Sequence, residues 1–194
     1  LFINLILIMS VFLSNALVAK GKYEFSALEH TMLPALCRYM KQGNRAAIKE
    51  KYGRVMNPHH LCKGLNHLNR AKISVGIGAK EKRIRTFNLT AAISEFNYFI
   101  DFKKDNNRRM KYFAMMNRAK SSEMLGEKKD AIYDYESVIK ANPKFLTPYK
   151  ELIKIYLKAK QKKEALHIID YGLAHLPDSS FLLKKKQKLV GKVK

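Results

Sequence analysis

The stretch 131-AIYDYESVIKANP-143 returns in outline as 165-ALHIIDYGLAHLP-177. Ala131 recurs as Ala165, Ile132 as Leu166, Tyr135 as Ile169, Ile139 as Leu173 and Pro143 as Pro177, always at the same interval along the chain. Proline closes both copies, and a proline stops a helix because it has no N–H to continue the hydrogen-bond ladder. Matched residue classes ending in the same proline indicate an internal repeat. Periods of this length belong to stacked supersecondary units, so the rest of the chain is read outward from these two copies.

The chain has 194 residues, enough for one domain or a short repeat array. Its 47% hydrophobic content supports a folded core and argues against wholesale disorder. Only five prolines and nine glycines interrupt a sequence rich in Leu, Lys, Ala and Ile, a composition that favours helices. The charge is lopsided, with 38 Lys+Arg against 16 Asp+Glu and a formal +22. A field of that size attracts polyanions, anionic lipid head groups or acidic proteins, and it says nothing about fold.

The first nineteen residues, LFINLILIMSVFLSNALVA, carry no charge. Residues 1–20 read as a secretory signal, with Ser14-Asn15-Ala16 as its cleavage site, or as a retained membrane anchor. Asn4, Ser10, Ser14 and Asn15 weaken the anchor reading. Export is the expectation. The cysteines are Cys37 in 33-LPALCRYM-40 and Cys62 in 59-HHLCKGLN-66. In an exported protein an even pair reads as a disulfide, and in a cytosolic one the same two residues are buried thiols. Export and the disulfide therefore stand or fall together.

Residues 24–73 form an N-terminal helical region, interrupted at 41-KQGN-44 and again at 57-NP-58. The glycine-containing, basic stretch 74-SVGIGAKEKRIR-85 has no sustained apolar face and reads as a loop or a frayed helix end. Thr90 or Asn88 is then the expected N-cap of a helix over 91–102. The polar run 103-KKDNNRR-109 precedes a further helix that Gly126 terminates.

From residue 112 the pattern resembles the tetratricopeptide repeat, a 34-residue helix–turn–helix unit. Residues 146–179 supply Tyr149, Leu152, Tyr156, Ala165, Ile169, Gly172 and Pro177 at its framework positions, with Ile153 in place of a small residue. Residues 112–145 supply Met115, Ala119, Gly126, Ala131, Tyr135 and Pro143, while Arg118 and Ser122 depart from the pattern. Residues 74–111 would hold a loop and a degenerate unit, in which Ala92 and Phe96 match Ala131 and Tyr135. Residues 180–194 would be a basic capping helix and tail. The segments LPALC, HHLC and GLNHLNRA also resemble exported bacterial tetratricopeptide-repeat proteins with two cysteines ahead of the array. The implied architecture is all-α, a helical-hairpin solenoid preceded by the apolar signal or anchor helix.

Enzymatic chemistry finds no support. The sequence 76-GIGAK-80 lacks the Lys-Ser/Thr of a phosphate loop, there is no serine elbow, and the acids form no evident catalytic pair. His59, His60, Cys62 and His67, with His30 and Cys37, are the best metal candidates, but they lack ligand spacing, and a disulfide would consume both thiols. We therefore expect no catalytic residue, no metal and no cofactor.

The resemblance implies that the first helix of each unit lines a ligand groove. The residues placed there include Phe113, Met116 and Lys120, then Lys150, Lys154 and Lys158. The last three stand at i, i+4 and i+8 on one helical face, and like charges so arranged repel until an acidic counterpart relieves them. Asn117 is a poor match to the asparagine of a carboxylate clamp. The bland reading of this ladder is a solvated lysine face. The expected function is a non-catalytic adaptor in a bacterial envelope assembly, facing the periplasm and binding an acidic protein segment. The rival is a polyanion binder for nucleic acid or anionic lipid. Nucleic acid is the less favoured, since no nucleic-acid module is present, and residues 1–20 offer a separate route to a membrane.

Overall fold

The computed structural model describes residues 25–102 and 107–191, and every regular element among them is a helix. The 1–20 signal or anchor segment lies outside the described residues. Among those that are described, no helix is long and apolar enough to cross a membrane. The chain divides into two compact units, Leu1–Leu125 and Gly126–Lys194. The boundary falls inside the 112–145 repeat span.

The first unit opens with a reciprocal cap. Ser26 Oγ accepts from Glu29 N at 3.2 Å, and Glu29 Oε2 accepts from Ser26 N at 2.7 Å, starting α1 (Ala27–Met32). The sequence suggested one continuous run up to Lys41, but the structure breaks it at Leu33-Pro34. Proline disfavours helical backbone in the residue before it, and Leu33 is accordingly extended at φ −93°, ψ 151°. Then α2 (Ala35–Lys41) follows, and Asn44 Oδ1 caps α3 (Arg45–Tyr52) by accepting from Ala47 N at 3.0 Å. The break expected at 57-NP-58 is present. Asn57 turns left-handed at φ +50°, and Pro58 sits in the first turn of α4 (Pro58–Ile73), where its missing N–H costs nothing.

Of the loop and the helix end expected over 74–85, both are present: residues 74–77 are loop, and residues 79–85 are the first two turns of α5 (Ala79–Ile100). Ala, Lys, Glu and Arg are strong helix formers, so this end continues the packed part of α5 with its side chains in solvent. Asn88 and Thr90 consequently lie mid-helix and cap nothing. Buried Asn88 instead donates from Nδ2 to Ile84 O at 2.9 Å, and its Oδ1 accepts from His67 Nδ1 at 2.9 Å, tying α5 to α4. The last helix of the unit is α6 (Arg108–Leu125).

The first core gathers Leu33, Leu36, Leu61, Leu65, Leu68, Leu89, Ala92, Phe96, Phe99 and Ala114 around the disulfide. Cys37 of α2 and Cys62 of α4 are fully buried and bonded at 2.08 Å, with Cα atoms 5.6 Å apart. Glycine brings α4 and α5 together. A β-carbon on Gly64 would lie 2.7–3.0 Å from three atoms of the Phe96 ring, closer than packing allows. Over this cluster Glu29, only 4% exposed, accepts from Arg70 Nε at 2.6 Å and from Asn66 Nδ2 at 3.3 Å, which fastens α1 to α4. Burial alone would raise the Glu29 pKa, but the Arg70 guanidinium and the Ser26 N–H outweigh it and hold the carboxyl below its ordinary value.

The second unit contains α7 (Lys128–Ala141), α8 (Leu146–Lys158), α9 (Lys162–His175) and α10 (Ser180–Val190), each packed on the next. Its backbone repeats at the period of the sequence. The turn residues Gly126 and Lys160 are both left-handed, at φ +97° and +60°. Glu127 and Gln161, preceding α7 and α9, sit at φ/ψ −79°/68° and −86°/73°. Asn142 and Leu176, following them, sit at −145°/78° and −135°/63°. Burial repeats as well: Ala131 and Ala165 are 0% exposed, and Tyr135 and Ile169 are 1% and 0% exposed. In the turn after α7, buried Tyr149 donates its hydroxyl to Pro143 O at 2.9 Å. On α9, a β-carbon at Gly172 would meet Leu182 of α10 at 2.8 Å and Tyr149 of α8 at 3.0 Å, so a bare backbone lets three helices converge.

Candidate functional site

Helix α8 is amphipathic by sequence. Leu152, Ile153 and Ile155 are buried against its neighbours, while Lys150, Lys154 and Lys158 climb another face one turn at a time. Pro177 ends the second repeat, and Ser179 Oγ accepts from Leu182 N at 3.5 Å to start α10. That restart sets Phe181 and Lys185 beside the α8 ladder. Together the two helices enclose an open pocket of about 520 Å³, with Ile153, Leu157 and Phe181 as its apolar lining and Lys150, Lys154, Lys158 and Lys185 around it.

The charges are arranged around one ring. Lys150 Nζ lies 5.0 Å from the Phe181 ring centroid and Lys185 Nζ lies 5.6 Å from it, so two ammonium groups share one aromatic. One carboxylate lies within the lining. Glu151 Oε2 accepts from Lys154 Nζ at 3.3 Å, a pair 29% and 40% exposed that is screened by solvent. Four cations against one anion leave the pocket positive, and its volume lies within the range of ligand clefts, roughly 300–1,000 Å³. Nothing in the lining is a nucleophile with an adjacent base. What the geometry offers is attraction for carboxylates above an apolar floor.

The six groove residues expected from sequence divide between the units. Lys150, Lys154 and Lys158 share the pocket just described. Phe113, Met116 and Lys120 lie on α6 in the first unit, at i, i+3 and i+7, with Phe113 exposed and the other two half-buried. Lys120 Nζ donates to Glu123 Oε2 at 3.2 Å. Burial first, and then the Lys120 charge, depress the pKa of Lys72, so these two cations are neighbours. Asn117 donates its amide to Phe113 O at 2.7 Å, a bond within its own helix.

Phe181, Lys185 and Glu151 were missed as site residues. A signal existed for Phe181, because it stands one full repeat after Thr147, which precedes the first lysine of the ladder by three residues on α8. By sequence alone the lysines of α10 are simply those of a basic capping helix. The histidine cluster disperses into local contacts. His60 Nδ1 bonds Glu95 Oε2 at 2.6 Å and its ring stacks on Tyr98, His67 bonds Asn88, and both cysteine sulfurs are spent in the disulfide. His59 lies on His60, with ring centroids 4.2 Å apart, and burial followed by the His60 and Lys63 charges lowers its pKa. Among the described residues no three His, Cys, Asp or Glu side chains gather closely enough to hold a metal ion. No protein-family model, curated protein or solved structure matches the chain.

Proposed function

We propose that the chain is a non-catalytic adaptor of tetratricopeptide type that holds an acidic segment of another protein in the α8–α10 pocket. The observation that carries this reading is the coincidence of two periods. A backbone repeating at one fixed interval puts α8 and α10 in equivalent places, and the lysine ladder of the first meets Phe181 and Lys185 of the second in one pocket. A helical or extended acidic peptide would set its carboxylates among the ammonium groups and its apolar side chains on Phe181 and Leu157. The disulfide suits an oxidising compartment, in keeping with a site in the bacterial envelope facing the periplasm. There the adaptor would serve a larger membrane or surface assembly.

A short fluorescent peptide alternating Glu and Leu tests the pocket on the intact chain. The double reversal Lys150→Glu/Lys154→Glu is expected to weaken binding at least tenfold, whereas reversal of the exposed α7 lysines Lys128 and Lys140 leaves it within about twofold. Equal weakening by both variants means that only overall charge matters and removes the pocket from the proposal. Once a peptide is validated, membrane pull-downs with the same variants identify the natural partner.

A further inference from the structure

The connection between α4 and α5 carries apolar side chains where a connection normally has none. Val75 is 81% exposed and Ile77 is 90% exposed, with Ile73 at 43% on the approach and Phe87 at 68% two turns into α5. The loop is nonetheless held in shape. Ser74 donates from N and from Oγ to Arg70 O at 3.1 and 2.9 Å, and Lys82 N donates to Gly78 O at 3.0 Å. The Glu81 side chain lies so close to Gly76 and Gly78 that a β-carbon on either would collide with it. The contact is tightest at Gly76, which faces the Glu81 Cγ, while Gly78 faces only the movable carboxylate end, and the one acid of this segment is folded back against the loop backbone.

Beside the tip stand exposed Lys80, Lys82, Arg83 and Arg85. All four occupy the first two turns of α5, hence within about 10 Å of chain along the helix axis. Water gains nothing from aliphatic tips ringed by cations. A bilayer surface bearing anionic lipid does, because it takes apolar groups to a depth of roughly 5–10 Å and draws cations to its phosphates over the same distance. We propose that residues 73–87 dock the first unit on an anionic membrane, with Val75 and Ile77 entering the boundary between head groups and acyl chains. This surface belongs to the first unit and does not depend on the second-unit pocket. The uncharged run at residues 1–19 gives the same chain an independent reason to be near a membrane.

The chain contains no tryptophan, so Ile77→Trp makes a single fluorescent reporter at the tip in the otherwise intact protein. With vesicles of phosphatidylcholine mixed with phosphatidylserine, a blue shift and quenching by bromine-labelled acyl chains are expected. Both should be absent with pure phosphatidylcholine and reduced at least tenfold in vesicle titrations when Lys82→Glu/Arg83→Glu is added. The same reporter at exposed Tyr133, in the second unit, should remain unquenched. Val75→Trp repeats the measurement if Ile77→Trp fails to fold, judged by helical circular dichroism. An unquenched tip on vesicles that carry the protein overturns the proposal. So does equal quenching on neutral lipid, or a response to an oligonucleotide in place of lipid.

Discussion

Lys160 holds a conformation that its counterpart in the preceding repeat assigns to glycine. At φ +60° its β-carbon crowds the backbone, whereas Gly126, one repeat earlier, adopts φ +97° without that contact. Lys160→Gly should therefore stabilise the protein by about 0.5–1 kcal/mol, read as a raised urea midpoint with unchanged slope. Gly64→Ala should act in the opposite direction. Alanine is the better helix former, but its methyl would press on three atoms of a fully buried phenylalanine ring, and overpacking of that kind costs roughly 1–3 kcal/mol. The same denaturation series measures both. Single residues were also where the sequence spoke least clearly. Ala131, Ala165, Tyr135 and Ile169 announced their burial by period alone. Phe181 was readable only as the residue one repeat after Thr147, and Lys185 not at all, because its part in the pocket depends on how α10 restarts after Pro177.

Exposed and buried helices differ in how openly they declare themselves. Helices α7 and α9 were legible because burial imposes a periodic apolar stripe, and Pro143 and Pro177 mark where they stop. The start of α5 was not legible, since 79-AKEKRIR-85 buries almost nothing and leaves no stripe to find. The α1–α2 break at Pro34 was legible in principle from the proline rule, but continuous hydrophobicity around it hid the turn. Two tests belong at this scale. Reducing Cys37–Cys62, which closes a loop of 25 residues, should lower stability by roughly 3–4 kcal/mol in the chain-entropy description, seen by comparing urea midpoints with and without reductant. Glu29 should make the junction of α1 and α4 sensitive to acid. Its folded pKa lies below the ordinary 4.5, so its contribution is complete above that pH and is lost as pH falls through the lowered value. Stability measured from pH 6 down to pH 3 should decline less steeply in Glu29→Gln than in the unaltered chain.

Across the whole molecule the two kinds of cation are unevenly shared. All nine arginines lie at or before residue 118, and the second unit carries its positive charge on lysine alone. Ammonium groups hold carboxylates as mobile point charges without the two-pronged geometry of a guanidinium, so a lysine pocket suits an acidic run better than one fixed carboxylate. The formal +22 foretold attraction to anions but not its address. The α8 ladder is legible in its spacing, but its meeting with the Phe181 ring and the exposed apolar side chains of the α4–α5 loop emerge only once the helices are placed. The cross-link between α2 and α4 has a mechanical consequence as well. Tension applied at the two ends of the chain passes from Cys37 to Cys62 through sulfur, and the intervening segment, including α3, never bears load. That segment would otherwise extend to roughly 90 Å, against the 5.6 Å that separates its ends when bonded. Stretched to full length by optical tweezers, the oxidised chain should be about 80 Å shorter than the reduced one.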